Sequence, residues 1–92
     1  MATAVEGEFE IINALGLHAR AAAQLVKLAN RYKSEVTLEC DGQQVNGKSI
    51  MGVLMLAAAQ GTQVKLTCKG DDAEACLADL ARLINDRFGE AQ

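Results

Sequence analysis

The spacing of hydrophobic residues changes period several times along the chain. From Val5 to Ile11 it is two: Val5, Gly7, Phe9 and Ile11 face one way and Glu6, Glu8 and Glu10 the other, as in a strand with one wet face. Asn13 to Gly16 reads as a turn. From Ala19 to about Lys33 the period is helical, with Ala22, Leu25, Val26, Ala29 and Tyr32 forming an apolar stripe. Glu35 to Cys40 alternate again, with Val36, Leu38 and Cys40 inward. Asp41-Gly42 predicts a two-residue hairpin, because both residues tolerate positive φ. That turn sets Cys40 opposite Gln43 and Leu38 opposite Val45. Asn46-Gly47-Lys48-Ser49 breaks the strand, and Ser49 suits the N-cap of a short helix over about Ile50 to Leu56. Gly61-Thr62 turns the chain into a fourth strand, Gln63 to Lys69, with Val64, Leu66 and Cys68 inward. Gly70-Asp71-Asp72 opens the last helix, and Asp71 with Glu74 has the form of a capping box. Leu77, Leu80, Ile84 and Phe88 mark its buried face, and Gly89 is its expected stop.

The order is β-α-β-β-α-β-α. Every strand has one apolar face, so the helices must all cover the same side. The expected fold is an open-faced α+β sandwich, a four-stranded antiparallel sheet covered on one side by three helices. At 92 residues the chain is read as one domain, residues 1–92. A chain this small buries roughly 60–65% of its unfolded surface, so the core must be complete. Aromatics make up only 3% of it, so aliphatic residues and alanine must fill that core.

Composition removes several functions. The net charge of −3 argues against broad nucleic-acid binding, and Phe9, Tyr32 and Phe88 are spaced as core rather than as a stacking platform. No apolar run reaches membrane-span length, and Met1 to Glu6 lacks the pattern of a signal peptide, so a cytoplasmic protein is expected. Cys40, Cys68 and Cys76 form no CxxC pair and are read as buried free thiols. One histidine and scattered cysteines give no metal-ligand spacing, and no cofactor is expected. Neither nucleotide-binding glycine motif is present, and Ser49 is not in a G-x-S-x-G elbow.

What remains is Gly16-Leu17-His18-Ala19-Arg20, which holds the only histidine. It sits where a loop becomes a helix N-terminus, an end with unpaired N–H groups and partial positive charge. The backbone of Ala19, Arg20 and Ala21 is therefore a candidate phosphate cradle. The Arg20 guanidinium can hold phosphate through a bidentate fork. A neutral imidazole is nucleophilic near pH 7. A lone histidine can also be only a surface or capping residue. Here Gly16 permits a tight backbone before the ring, and Leu17 and Ala19 leave it uncrowded. Which ring nitrogen would react is not legible. Arg20, Gln24, Lys27 and Arg31 share a second helix face, either solvated surface or a basic docking strip.

The stretch Gly16 to Arg20 resembles the active-site motif of the HPr family, the histidine phosphocarriers of the bacterial phosphoenolpyruvate-dependent phosphotransferase system. Lys48-Ser49-Ile50-Met51-Gly52-Val53-Leu54-Met55 resembles the same family's motif around a regulatory serine. The resemblance runs from about Val5 to Phe88. It implies a stoichiometric carrier rather than an enzyme. His18 would take a phosphoryl group on Nδ1 from phosphorylated enzyme I and pass it to a IIA domain, with Arg20 holding the phosphate. Lys27 and Lys48 would help dock partners, and Ile50, Met51 and Leu54 would form an apolar docking surface, although core packing is the plain alternative for those three. Ser49 would be the site of HPr kinase/phosphorylase, besides capping its helix. A phosphate at a helix N-terminus should hardly disturb the fold while hindering docking.

Two positions depart from the pattern. Ala21 stands where the family usually has proline, which would preset the first helical turn. Leu15 stands where the sugar branch often has asparagine, and Asn13-x-Leu15-Gly16 looks more like the nitrogen branch, whereas the Ser49 motif looks like the sugar branch. The alternatives are a nitrogen-branch carrier and a regulatory protein acting through the Ser49 helix. From other classes come a small-molecule-binding α+β domain and a small hydrolase using Ser49 and His18. A monomer is expected, because no further apolar face is conspicuous.

Overall fold

A computed structural model describes residues 3–92; Met1 and Ala2, which open the segment read as lacking a signal pattern, lie outside the described residues. Strands β1 (Thr3–Glu10), β2 (Glu35–Cys40), β3 (Gln43–Asn46) and β4 (Gln63–Gly70) form one antiparallel sheet in the order β1-β4-β2-β3. The helices are α1 (Ala19–Ala29), α2 (Ile50–Leu56) and α3 (Ala73–Asn85), followed by a single 3-10 turn at Arg87–Gly89. β1 and β2 flank β4 and so run parallel, as do β3 and β4 about β2. Each parallel pair is joined by a helical crossover, α1 in the first and α2 in the second, because a tight turn cannot join parallel strands.

The alternation places the core where the sequence indicates. Val36, Leu38 and Cys40 on β2 and Val64, Leu66 and Cys68 on β4 point inward, and Leu38 lies opposite both Val45 and Leu66. The hairpin has the register expected from its turn, with Asp41 at φ 52° and Gly42 at φ 82°. Leu25, Val53, Leu80, Ile84 and Phe88 close the core from the helical side. Cys40, Cys68 and Cys76 are buried and unpaired, as read from the sequence. Burial, reinforced by the neighbouring Cys76, pushes the Cys68 thiol up to about 12, so it is not a nucleophile near neutrality. Among the described residues, no helix is long and apolar enough to cross a membrane.

Three helix boundaries differ from the sequence reading. Helix α1 ends at Ala29, not near Lys33. Asn30 takes the C-cap, and its side-chain amide donates to the Val26 carbonyl at 2.9 Å and the Lys48 carbonyl at 3.2 Å. This short polar side chain competes with the helix for its own backbone. Tyr32 lies beyond the helix, packs against the core, and donates its hydroxyl to Asp79 on α3.

The capping box at Asp71 and Glu74 does not form. The N-cap is Asp72, and its side chain does not cap the helix. Its carboxylate instead accepts from the N–H groups of Lys33 (2.8 Å) and Ser34 (3.0 Å) and from the buried Ser34 hydroxyl. These bonds, the hydroxyl's foremost, hold Asp72 below the usual carboxylate range.

Helix α3 stops at Asn85, so Gly89 is not its terminator. Arg87 and Phe88 adopt left-handed φ of 55° and 54°, and this reversal drives the Phe88 ring into the core separately from the helix. Leu77 is only partly buried, while Ala73 and Cys76 join Leu80 and Ile84 on the inner face.

Candidate functional site

The site begins with a loop that only glycine permits. Gly16 has φ 66°, and a Cβ there would lie 2.6 Å from the Ala58 carbonyl oxygen. Its N–H donates to Asn13 O at 3.1 Å, and the next N–H, of buried Leu17, donates to Ala58 O at 2.9 Å. The chain is thus pressed against the segment between α2 and β4 just before His18. His18 is the N-cap of α1, with extended backbone (φ −74°, ψ −178°). Its carbonyl accepts from Ala22 N–H at 2.8 Å, and its Nδ1 accepts from Arg20 N–H at 3.3 Å. The ring therefore satisfies one of the orphan donors of the first turn. Ala19 and Ala21 complete that turn. Ala21 is fully buried and packs in the core.

The sequence puts only cationic partners near His18, but the structure adds an anion. The other ring nitrogen, Nε2, donates to one carboxylate oxygen of Glu90. The second oxygen accepts from the Asn13 side-chain amide at 3.0 Å. Asn13 is fully buried, and its amide also donates to Gly16 O at 2.8 Å. The tail is held again where Ala14 N–H donates to Gln92 O at 3.1 Å. One neutral tautomer satisfies both ring contacts: Nε2 carries the proton and Nδ1 keeps its lone pair. Glu90 is drawn below the ordinary glutamate range, first by the hydrogen bond from His18 and then by that from Asn13. Glu90 escaped the sequence reading because 72 residues separate it from His18. The available signal was Phe88, an apolar residue that could anchor whatever follows it.

Arg20 is exposed, and its guanidinium has no ion-pair partner among the described residues. It borders a groove of about 540 Å³ that is also lined by Leu15, His18 and Glu90. Lys27 is exposed on α1. Lys48 is less free, since its ammonium donates to the Tyr32 carbonyl at 2.6 Å.

Ser49 caps α2, its hydroxyl accepting from Gly52 N–H at 3.2 Å. No hydrogen bond joins Ser49 to His18 among the described residues, the contact that a serine nucleophile with a histidine base requires. The short helix divides its apolar residues. Val53 and Leu56 fill the core, Leu54 is partly buried against it, and Ile50 and Met51 are exposed. Leu15 and Met55, not among the docking residues expected from sequence, are also exposed, at 69% and 67%.

Fold and site together define a small open-faced α+β domain with its one histidine at a helix N-terminus. Residues 5–86 match the family model described as the PTS HPr component phosphorylation site. The chain is 50% identical over 82 residues to the phosphocarrier protein HPr of Cupriavidus necator, covering 89% of this chain and 92% of the relative. It is 44% identical to the HPr-like protein Crh of Bacillus subtilis, covering 89% and 96%. The crystal structure of HPr from Thermoanaerobacter tengcongensis superposes with a TM-score of 0.93 at 44% identity, covering 96% of this chain and 99% of that one. The chain belongs to the HPr family, and it is a phosphoryl carrier of the phosphotransferase system rather than a catalyst.

The Glu90 contact has a pH dependence of known sign. Its carboxyl lies below the unfolded value, so the contact stabilises the tail above the ordinary glutamate range and is lost as pH falls through the lower, folded value. Carbon NMR of the Glu90 carboxyl should give a midpoint below 4.5, returning toward that value in His18→Ala. An ordinary midpoint in the native protein would contradict the contact.

Proposed function

We propose that His18 is the phosphorylated residue and that Nδ1 takes the phosphoryl group. The carrying observation is the division of the ring: Nδ1 is the unprotonated nitrogen, and it is turned into the N-terminus of α1. In the resting protein Nδ1 holds the Arg20 N–H. When its lone pair bonds phosphorus, that N–H is released and becomes a donor for a phosphoryl oxygen, beside those of Ala19 and Ala21. The free Arg20 guanidinium supplies the countercharge.

The donor is phosphorylated enzyme I and the acceptor a IIA domain, met as a monomer in the cytoplasm. Exposed Ile50 and Met51 support a docking role for α2, with partly buried Leu54 on the same helix, Lys48 just before it and exposed Lys27 on α1. The Asn13-x-Leu15-Gly16 pattern keeps a nitrogen-branch acceptor as the alternative.

Ser49 adds regulation through HPr kinase/phosphorylase. The stretch Lys48 to Met55, which carries Ser49 at the start of α2, supports this second role. The hydroxyl already faces the first turn of α2, where a negative group is tolerated.

Intact mass after incubation with phosphoenolpyruvate and enzyme I tests the relay. A single acid-labile phosphate should appear and be absent from His18→Ala. Phosphate retained by that variant would sink the proposal. For Ser49→Asp, aspartate is an equally good N-cap, so stability should stay within about 0.5 kcal/mol. Transfer from enzyme I should fall roughly tenfold, the effect of about 1.4 kcal/mol of lost docking. Thermal melts and transfer kinetics give both readings, and a wild-type transfer rate would count against regulation at this serine.

A further inference from the structure

Phosphorylation of a neutral imidazole creates charge on the far side of the ring. The Nδ1 lone pair forms the bond to phosphorus, and the bond from phosphorus to the donor breaks with its electron pair leaving on the donor. The Nε2 proton stays where it was, so the ring becomes an imidazolium. That positive charge is delocalised onto Nε2, and Nε2 faces Glu90.

We propose that Glu90 is the counter-ion of the phosphorylated ring and that Asn13 is the positioning residue that holds it there. This rests on His18 being the phosphorylated residue. Three observations carry it. The Glu90 side chain is only 11% exposed, so its charge acts where water screens weakly. The carboxylate is held from two sides, with one oxygen on Nε2 and the other on the Asn13 amide. Asn13 is fully buried and uses its amide nitrogen for Gly16 O and Glu90 together, while its Oδ1 has no partner among the described residues. A buried unpaired acceptor is unfavourable. Flipping the amide would turn that oxygen toward two acceptors and break both bonds. The orientation is therefore set by the need to donate, and one of its two targets is the carboxylate. The buried Phe88 ring and the Ala14 to Gln92 bond fix the tail on either side of Glu90.

Glu90 and Arg20 are the charged side chains at this ring, and they act on opposite products of the step. Arg20 answers the phosphoryl group and Glu90 answers the imidazolium. When the phosphoryl leaves for an acceptor, its bonding pair returns to Nδ1 and the ring is neutral again with Nε2 still protonated.

Glu90→Gln tests this, because glutamine can still accept from Nε2 but carries no charge. Charge-assisted hydrogen bonds are about twice as strong as neutral ones. The equilibrium constant for phosphorylation by enzyme I should therefore drop about tenfold. Phosphorus NMR of the phosphorylated protein should titrate about one pH unit lower, the same tenfold read as proton affinity. A purely structural role would lower the melting temperature and leave that midpoint in place. Asn13→Ala should give part of the same shift, and in a Glu90→Ala background it should change neither equilibrium nor midpoint further. Should Asn13→Ala not fold, the Glu90→Gln midpoint alone decides. A wild-type equilibrium and midpoint in Glu90→Gln overturn the counter-ion while leaving the relay intact. Phosphate on His18→Ala would instead overturn the relay itself.

Discussion

A side chain at position 16 would set its Cβ 2.6 Å from the carbonyl of Ala58, and the site depends on none being there. That close approach seats the loop against the α2–β4 connection and lets Leu17 enter the core. His18 follows immediately and has little choice of direction. Its backbone must be extended to begin α1, and its ring must fold back over the first turn to cap it. The ring is thus aimed by packing two residues away together with its own bonds to Arg20 and Glu90.

The same constraint accounts for a helix start without proline. Proline narrows the backbone at the beginning of a helix. Here the narrowing comes from Gly16 at positive φ, from buried Leu17, and from the ring itself as cap. Ala21 keeps its N–H, which proline would lack, and adds a third donor to the first turn. The loop is also held from the tail, since Asn13 and Ala14 bond to Glu90 and Gln92. A segment from the far end of the chain thereby belongs to the site.

Much of this was legible in the sequence. Period-two alternation identified β1, β2 and β4, and Asp41-Gly42 placed β3 and set the β2–β3 register. His18 and Arg20 stood out because the chain has one histidine and it precedes a long helical pattern. The misreadings were tertiary. Asp72 stands beside the Lys33–Ser34 segment and takes three donors there, which outweighs a local cap. Asn30 ends α1 early because it can bind Lys48 O as well as its own helix. Glu90 was invisible, since nothing in a motif of five residues indicates a partner 72 positions on. Only Phe88 hinted that the tail is pinned.

The central claim is that the two nitrogens of His18 have different roles before any phosphate arrives. Nitrogen NMR of the imidazole in the unphosphorylated protein, near neutral pH, tests it most directly. The account predicts a proton on Nε2 and a bare Nδ1 that accepts from the Arg20 N–H. A protonated Nδ1, or a ring exchanging freely between the two tautomers, would contradict it.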